Sequence, residues 1–175
     1  MNKLKKNNEI GAMILCAGRG KRMSYQTKYI AKPLLKIQNQ TILKTNIDYL
    51  SSIGIKNCII NNSYKYKTIQ KFIKNYSLKY SRPNIYSSFE KKRLETGGGV
   101  KKALPLFNKK EILIINGDSL LLRKNNTCPI KKLFRNFNSR YMKVLLLLAP
   151  VNKSIGYDGR GDFIIKSKSN ASKIE

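Results

Sequence analysis

Two glycines alternate with basic side chains in MILCAGRGKR, residues 13–22, where Gly18 and Gly20 sit among Arg19, Lys21 and Arg22. Glycine reaches backbone conformations and close approaches that a Cβ forbids, so such a loop can turn its amides on phosphate oxygens while the cations add charge. The spacing is neither a GxGxxG dinucleotide fingerprint nor a Walker A loop, and a glycine-rich surface turn fits the same residues. Lys32 stands in AKPLLKI, residues 31–37, just ahead of Pro33. The rigid turn would let this lysine reach back over the glycine loop, although a solvated turn reads equally well. In LETGGGVKKALPLF, residues 94–107, three glycines precede a helical pattern. Ordering them is entropically expensive, which favours close approach of a ligand to the positive end of a helix over a flexible hinge. Asp118 ends the apolar run of EILIINGDSLL, residues 111–121, and suits either Mg²⁺ bridging nucleotide phosphates or the N-cap of a helix.

The chain contains no histidine, which excludes Ser–His and Cys–His nucleophilic catalysis and imidazole metal sites together. Carboxylates, lysine, arginine and backbone amides are left to do any chemistry. Cys16, Cys58 and Cys128 are odd in number and widely spaced, a pattern of buried thiols rather than of disulfides or zinc. The 36 lysines and arginines against 9 acids give a formal charge of +27. These cations are scattered from end to end, as A/T-biased codon usage produces, and the tyrosines are dispersed, so a nucleic-acid partner is not expected. Anionic small molecules such as nucleotides and sugar phosphates fit the charge. The longest apolar run, VLLLLAPV from Val144, is too short to cross a bilayer, and residues 1–9 have no signal-type apolar region behind them. The expected protein is soluble, cytoplasmic and free of membranes.

Several elements must hold these residues in place. Short apolar runs bounded by turn formers at 12–16, 57–61, 84–88, 111–116 and 143–149 read as buried strands. Between the first two, Ile42, Leu43, Ile47, Leu50 and Ile53 follow Thr41 as N-cap and precede Gly54 as a stop, which predicts an amphipathic helix. Helical patterns also fill 67–75, 100–107 and 129–138. Strand and helix therefore alternate, which predicts an α/β fold with a mostly parallel sheet, right-handed crossovers and helices on both faces. The 175 residues fit one domain, expected over 10–166, with residues 1–9 and 167–175 as tails. In such folds ligands bind beyond the carboxyl ends of the strands, where the GRGKR turn would lie.

Taken in order, AMILCAGRGKRM, KPLLKI, LETGGGVKKALPL, INGDSL and GRGDF resemble the sugar-nucleotide pyrophosphorylases, a nucleotidyltransferase family of Rossmann-like fold that joins an NTP to a sugar 1-phosphate. The likeness runs over residues 12–165. It is nearest to the bacterial uridylyltransferases that act on N-acetylmuramate 1-phosphate in peptidoglycan recycling, with the guanylyltransferases of mannose 1-phosphate as near relatives. The resemblance implies that Gly18, Arg19, Gly20 and Arg22 hold the triphosphate of UTP or GTP and that Lys32 neutralises the α-phosphate, Arg22 and Lys32 being the catalytic cations. It further implies Gly97 and Gly98 against the base, Asp118 on Mg²⁺, Gly161 and Asp162 by the sugar, and Glu95 on the nucleoside or sugar. Cys16 departs mildly from the small apolar residue usual there. The family also takes a second metal-binding aspartate and part of its sugar pocket from segments after GRGDF. An incomplete fold at the C-terminus is therefore expected, with a separately encoded C-terminal portion as a partner and little turnover by this chain alone. A nucleotide or sugar-phosphate binding protein without turnover is the reading of another class.

Overall fold

The computed structural model describes residues 10–20, 23, 25–108, 111–121, 128–153 and 159–165. Contacts divide the chain into two compact units, Met1–Leu121 and Leu122–Glu175. The boundary falls inside the expected 10–166 domain, where no Pro- or Gly-rich linker marks it.

In the first unit β1 (Gly11–Leu15) lies between β4 (Asn57–Asn62) and β6 (Ile112–Asn116), with β5 (Asn84–Phe89) beyond β4, and all pairings in this sheet are parallel. A two-residue hairpin, β2 (Lys36–Ile37) with β3 (Gln40–Thr41), stands apart from it. The order β5-β4-β1-β6 means that the chain winds outward from β1 to β5 and then returns to β1's other side. That reversal opens a crevice between the carboxyl ends of β1 and β6.

The helices follow from the same connections. Helix α1 (Ile42–Ser52) starts where Thr41 accepts a hydrogen bond from the Lys44 amide at 3.1 Å. It stops at Gly54, which takes a φ of +94° while its amide and that of Ile55 satisfy the last carbonyls. Right-handed crossovers put α1 and α2 (Tyr66–Lys79) on one face and α3 (Glu95–Ala103), which returns the chain, on the other. Side chains of alternate residues sort accordingly. Met13 and Ile59 pack with Ala103 and Val100 of α3, whereas Cys58, of opposite parity, lies near Tyr76 of α2. Because both faces of β1 are covered, residues 12–14 are wholly buried.

Two expected elements differ. The glycines 97–99 lie inside α3 rather than ahead of it, for the helix begins at Glu95. In the second unit α4 (Pro129–Asn136) forms as expected, but residues 143–149 are not a strand. An apolar run becomes a strand only when a neighbour accepts its backbone, and among the described residues none pairs with it. Val144 is left 71% exposed there. No described helix is long and apolar enough to cross a membrane.

Candidate functional site at the crevice between β1 and β6

The carboxyl end of β1 runs into Cys16, Ala17, Gly18, Arg19 and Gly20, and these residues form one wall of a cleft of about 590 Å³. Gly20 turns the loop with a φ of +64°, and a methyl group on it would stand 3.0 Å from Thr27 Cγ2 and 3.2 Å from Lys32 Cβ. The turn is pinned because the Met23 amide and the Thr27 hydroxyl both donate to the Gly20 carbonyl, at 2.9 and 3.2 Å. Gly18 faces open space, with nothing within 4 Å of the position a Cβ would take.

Lys32 starts a 3-10 turn, Lys32–Leu34, that Pro33 favours by fixing φ. From it the ammonium reaches Asp118 Oδ2 at 2.6 Å. Asp118 comes near because Gly117 brings the end of β6 hard against β1. The Gly117 amide donates to the Leu15 carbonyl at 3.0 Å, and a Cβ there would lie 2.6 Å from that oxygen. Only glycine permits this approach. The Lys32–Asp118 pair is 24% and 40% exposed, so by itself it contributes only about 0–1 kcal/mol to the fold. Its value as chemistry is the juxtaposition of a cation and a carboxylate in an open cleft.

The facing wall is the start of α3, where Arg93, Glu95 and Thr96 line the cleft and the Arg93 guanidinium pairs with the Glu95 carboxylate. Glu95 holds a φ of +57°, a left-handed conformation that costs a non-glycine residue about 1–2 kcal/mol. The Cys16 thiol, also on the cleft wall, has its pKa pushed well up by burial first, and then by Cys58 and Asp118. It is a neutral hydrophobe there, not a nucleophile.

Of the residues expected at a site, Gly18, Arg19, Gly20, Lys32, Glu95 and Asp118 all line this one cleft. Gly97 and Gly98 fall in the first turns of α3 and are not among the lining residues. Arg22 lies outside the described residues, and Gly161 and Asp162 belong to the second unit, exposed, with Gly161 at a φ of +83°. Sequence reasoning did not single out Arg93 or Asn61. A signal for Asn61 was present: a polar pair ends the apolar strand NCIINN, at the sheet edge where ligands bind. Among the described residues no three His, Cys, Asp or Glu side chains gather, and the carboxylates that line the cleft are those of Asp118 and Glu95.

A crevice at the point where strand order reverses, floored by a glycine loop and carrying a lysine and an aspartate, is the frame of a nucleotide-handling α/β protein. The chain belongs to the nucleotidyl transferase family, which it matches over residues 11–158. It is 32% identical over 142 residues to the D-glycero-alpha-D-manno-heptose 1-phosphate guanylyltransferase of Aneurinibacillus thermoaerophilus, which covers 81% of this chain and 58% of that protein. With the N-acetylmuramate alpha-1-phosphate uridylyltransferase of Caulobacter vibrioides it shares 27% identity over 157 residues, 89% of this chain and 64% of that one. Among solved structures it is similar to HddC from Yersinia pseudotuberculosis complexed with GMP-PN, with a TM-score of 0.55, 26% identity, and coverage of 63% of this chain and 48% of that one. The chain thus spans about six-tenths of the length of these curated relatives.

Proposed function

We propose that the cleft binds a nucleoside triphosphate and that the protein transfers its nucleoside monophosphate to a sugar 1-phosphate, releasing pyrophosphate. The observation that carries this reading is the convergence of Gly18, Gly20, Lys32 and Asp118 on one crevice in a chain of the nucleotidyl transferase family. The loop amides and Arg19 hold the outer phosphates. Lys32 leaves Asp118 for the α-phosphate and neutralises the charge that grows there. An oxygen of the sugar phosphate attacks the α-phosphorus in line. A new P–O bond forms, the α–β anhydride bond breaks, and its electron pair departs with pyrophosphate. That oxygen is already anionic, so no general base is required, in keeping with a chain without histidine.

Asp118, 40% exposed in the cleft, fits Mg²⁺, which takes one or two protein carboxylates and completes its shell with phosphates and water. When bound, the ion would neutralise phosphate charge. The expectation of UTP stands beside GTP, since relatives named for each lie at similar identity.

The cleft's two carboxylates, Asp118 and Glu95, are each paired with a cation, which favours a second reading, nucleotide binding without turnover. Pyrophosphate release decides between them, measured with Mg²⁺ and UTP or GTP against N-acetylmuramate 1-phosphate, heptose 1-phosphate and mannose 1-phosphate. Release that depends on one sugar phosphate is the expected result. Binding without release in any combination would leave the second reading standing and end the first.

A further inference from the structure

We infer that Glu90 and Asn61 form a buried positioning bridge that sets the glycine loop after β1 and the start of α3 in register with each other, an inference that rests on the cleft being the nucleotide site. Glu90 is 1% exposed and Asn61 2% exposed. In a chain with 36 lysines and arginines, no cation among the described residues pairs with this carboxylate. Its partners are neutral donors. Asn61 Nδ2 donates to Glu90 Oε1 at 2.8 Å, and the Leu94 amide, at the positive end of α3, donates to Oε2 at 3.0 Å. On its other side Asn61 Oδ1 accepts from the Cys16 amide at 2.7 Å. The orientation of the Asn61 amide is forced, because Cys16 offers a donor and Glu90 an acceptor.

One continuous chain of hydrogen bonds therefore runs from Cys16, where the glycine loop leaves β1, to Leu94, where α3 and its cleft residues Glu95 and Thr96 begin. Gly99 leaves room for it. A Cβ at that position would stand 2.6 Å from Glu90 Oε1 and 2.9 Å from Asn61 Nδ2. The two walls of the cleft thus depend on one carboxylate that does not itself line the cleft.

The bridge can be broken and rebuilt by exchanging the two groups. Glu90→Gln leaves one acceptor oxygen for two donors. Asn61→Asp sets two carboxylates face to face. In the double variant the carboxylate introduced at position 61 accepts from the Cys16 amide and from the side-chain amide introduced at position 90. The oxygen of that side-chain amide in turn accepts from the Leu94 amide, so each of the three bonds is remade with the same net charge. The test compares the four full-length chains after thermal melts establish that they fold, by amide hydrogen exchange and by calorimetric titration with GTP and with UTP in Mg²⁺. Each single variant should speed exchange at both 16–20 and 94–97 and weaken the nucleotide that the native chain binds by about tenfold or more, and the double variant should restore both. Faster exchange only at the wall nearer the substitution, or a double variant no better than the singles, would overturn the coupling. Coupled exchange with nucleotide affinity unchanged across all four chains would reduce the bridge to a structural role. A native chain that binds neither nucleotide would count against the proposed function, while the exchange data would still decide the coupling.

Discussion

Gly18 and Gly20 are two residues apart and do different work. Gly20 needs its left-handed φ of +64° and lacks room for a methyl group beside Thr27 and Lys32, whereas Gly18 faces open space. Gly20→Ala should therefore lower stability by about 1–2 kcal/mol. Gly18→Ala should change it by less than about 0.5 kcal/mol while, under the proposed function, weakening nucleotide binding, because its methyl group would enter the space that reading gives to phosphate oxygens. Urea denaturation read beside calorimetry separates the two, and an equal loss of stability in both variants would refute this division. The glycine loop was legible from composition because glycine's freedom is a local property. The partners of Asn61 and Lys32 were not, for the Asn61–Glu90 bond spans 29 residues and the Lys32–Asp118 bond spans 86. Spacing does not report such contacts, and only the order of the motifs, through the family resemblance, brought Lys32 and Asp118 together.

At the scale of elements, α3 is where the backbone departs furthest from local preference. Its first residue, Glu95, takes a φ of +57°, and an exposed pair with Arg93 offsets little of that strain. Glu95→Gly should relieve it and raise stability by about 0.5–1 kcal/mol in chemical denaturation. A fall in stability would show that the Arg93 pair outweighs the backbone cost. Helix α1 was readable to within a residue, since the Thr41 cap, the apolar spacing and the Gly54 stop are all local signals. The start of α3 was not, because Gly99 lies inside the helix to clear Glu90 and Asn61, a tertiary cause. Residues 143–149 carry the hydrophobicity of a strand, but strand formation depends on a neighbour that hydropathy does not reveal.

For the molecule as a whole, the parallel order β5-β4-β1-β6 turns scattered sequence signals into one crevice, with a lysine and an aspartate held 2.6 Å apart above a glycine loop. A charge of +27 draws anions to the chain in general, so bare affinity for a nucleotide would say little about the cleft. The direct measurement is calorimetric titration of the native chain and of Lys32→Ala with UTP and with GTP in Mg²⁺ at near-physiological salt, where diffuse attraction is screened. The native chain should bind one of the two at a single site, and Lys32→Ala should lose about 1–3 kcal/mol, or roughly five- to 150-fold in affinity. Equal affinity in the two proteins, or binding that vanishes with salt alike in both, would contradict the assignment of the β1–β6 crevice as the nucleotide site.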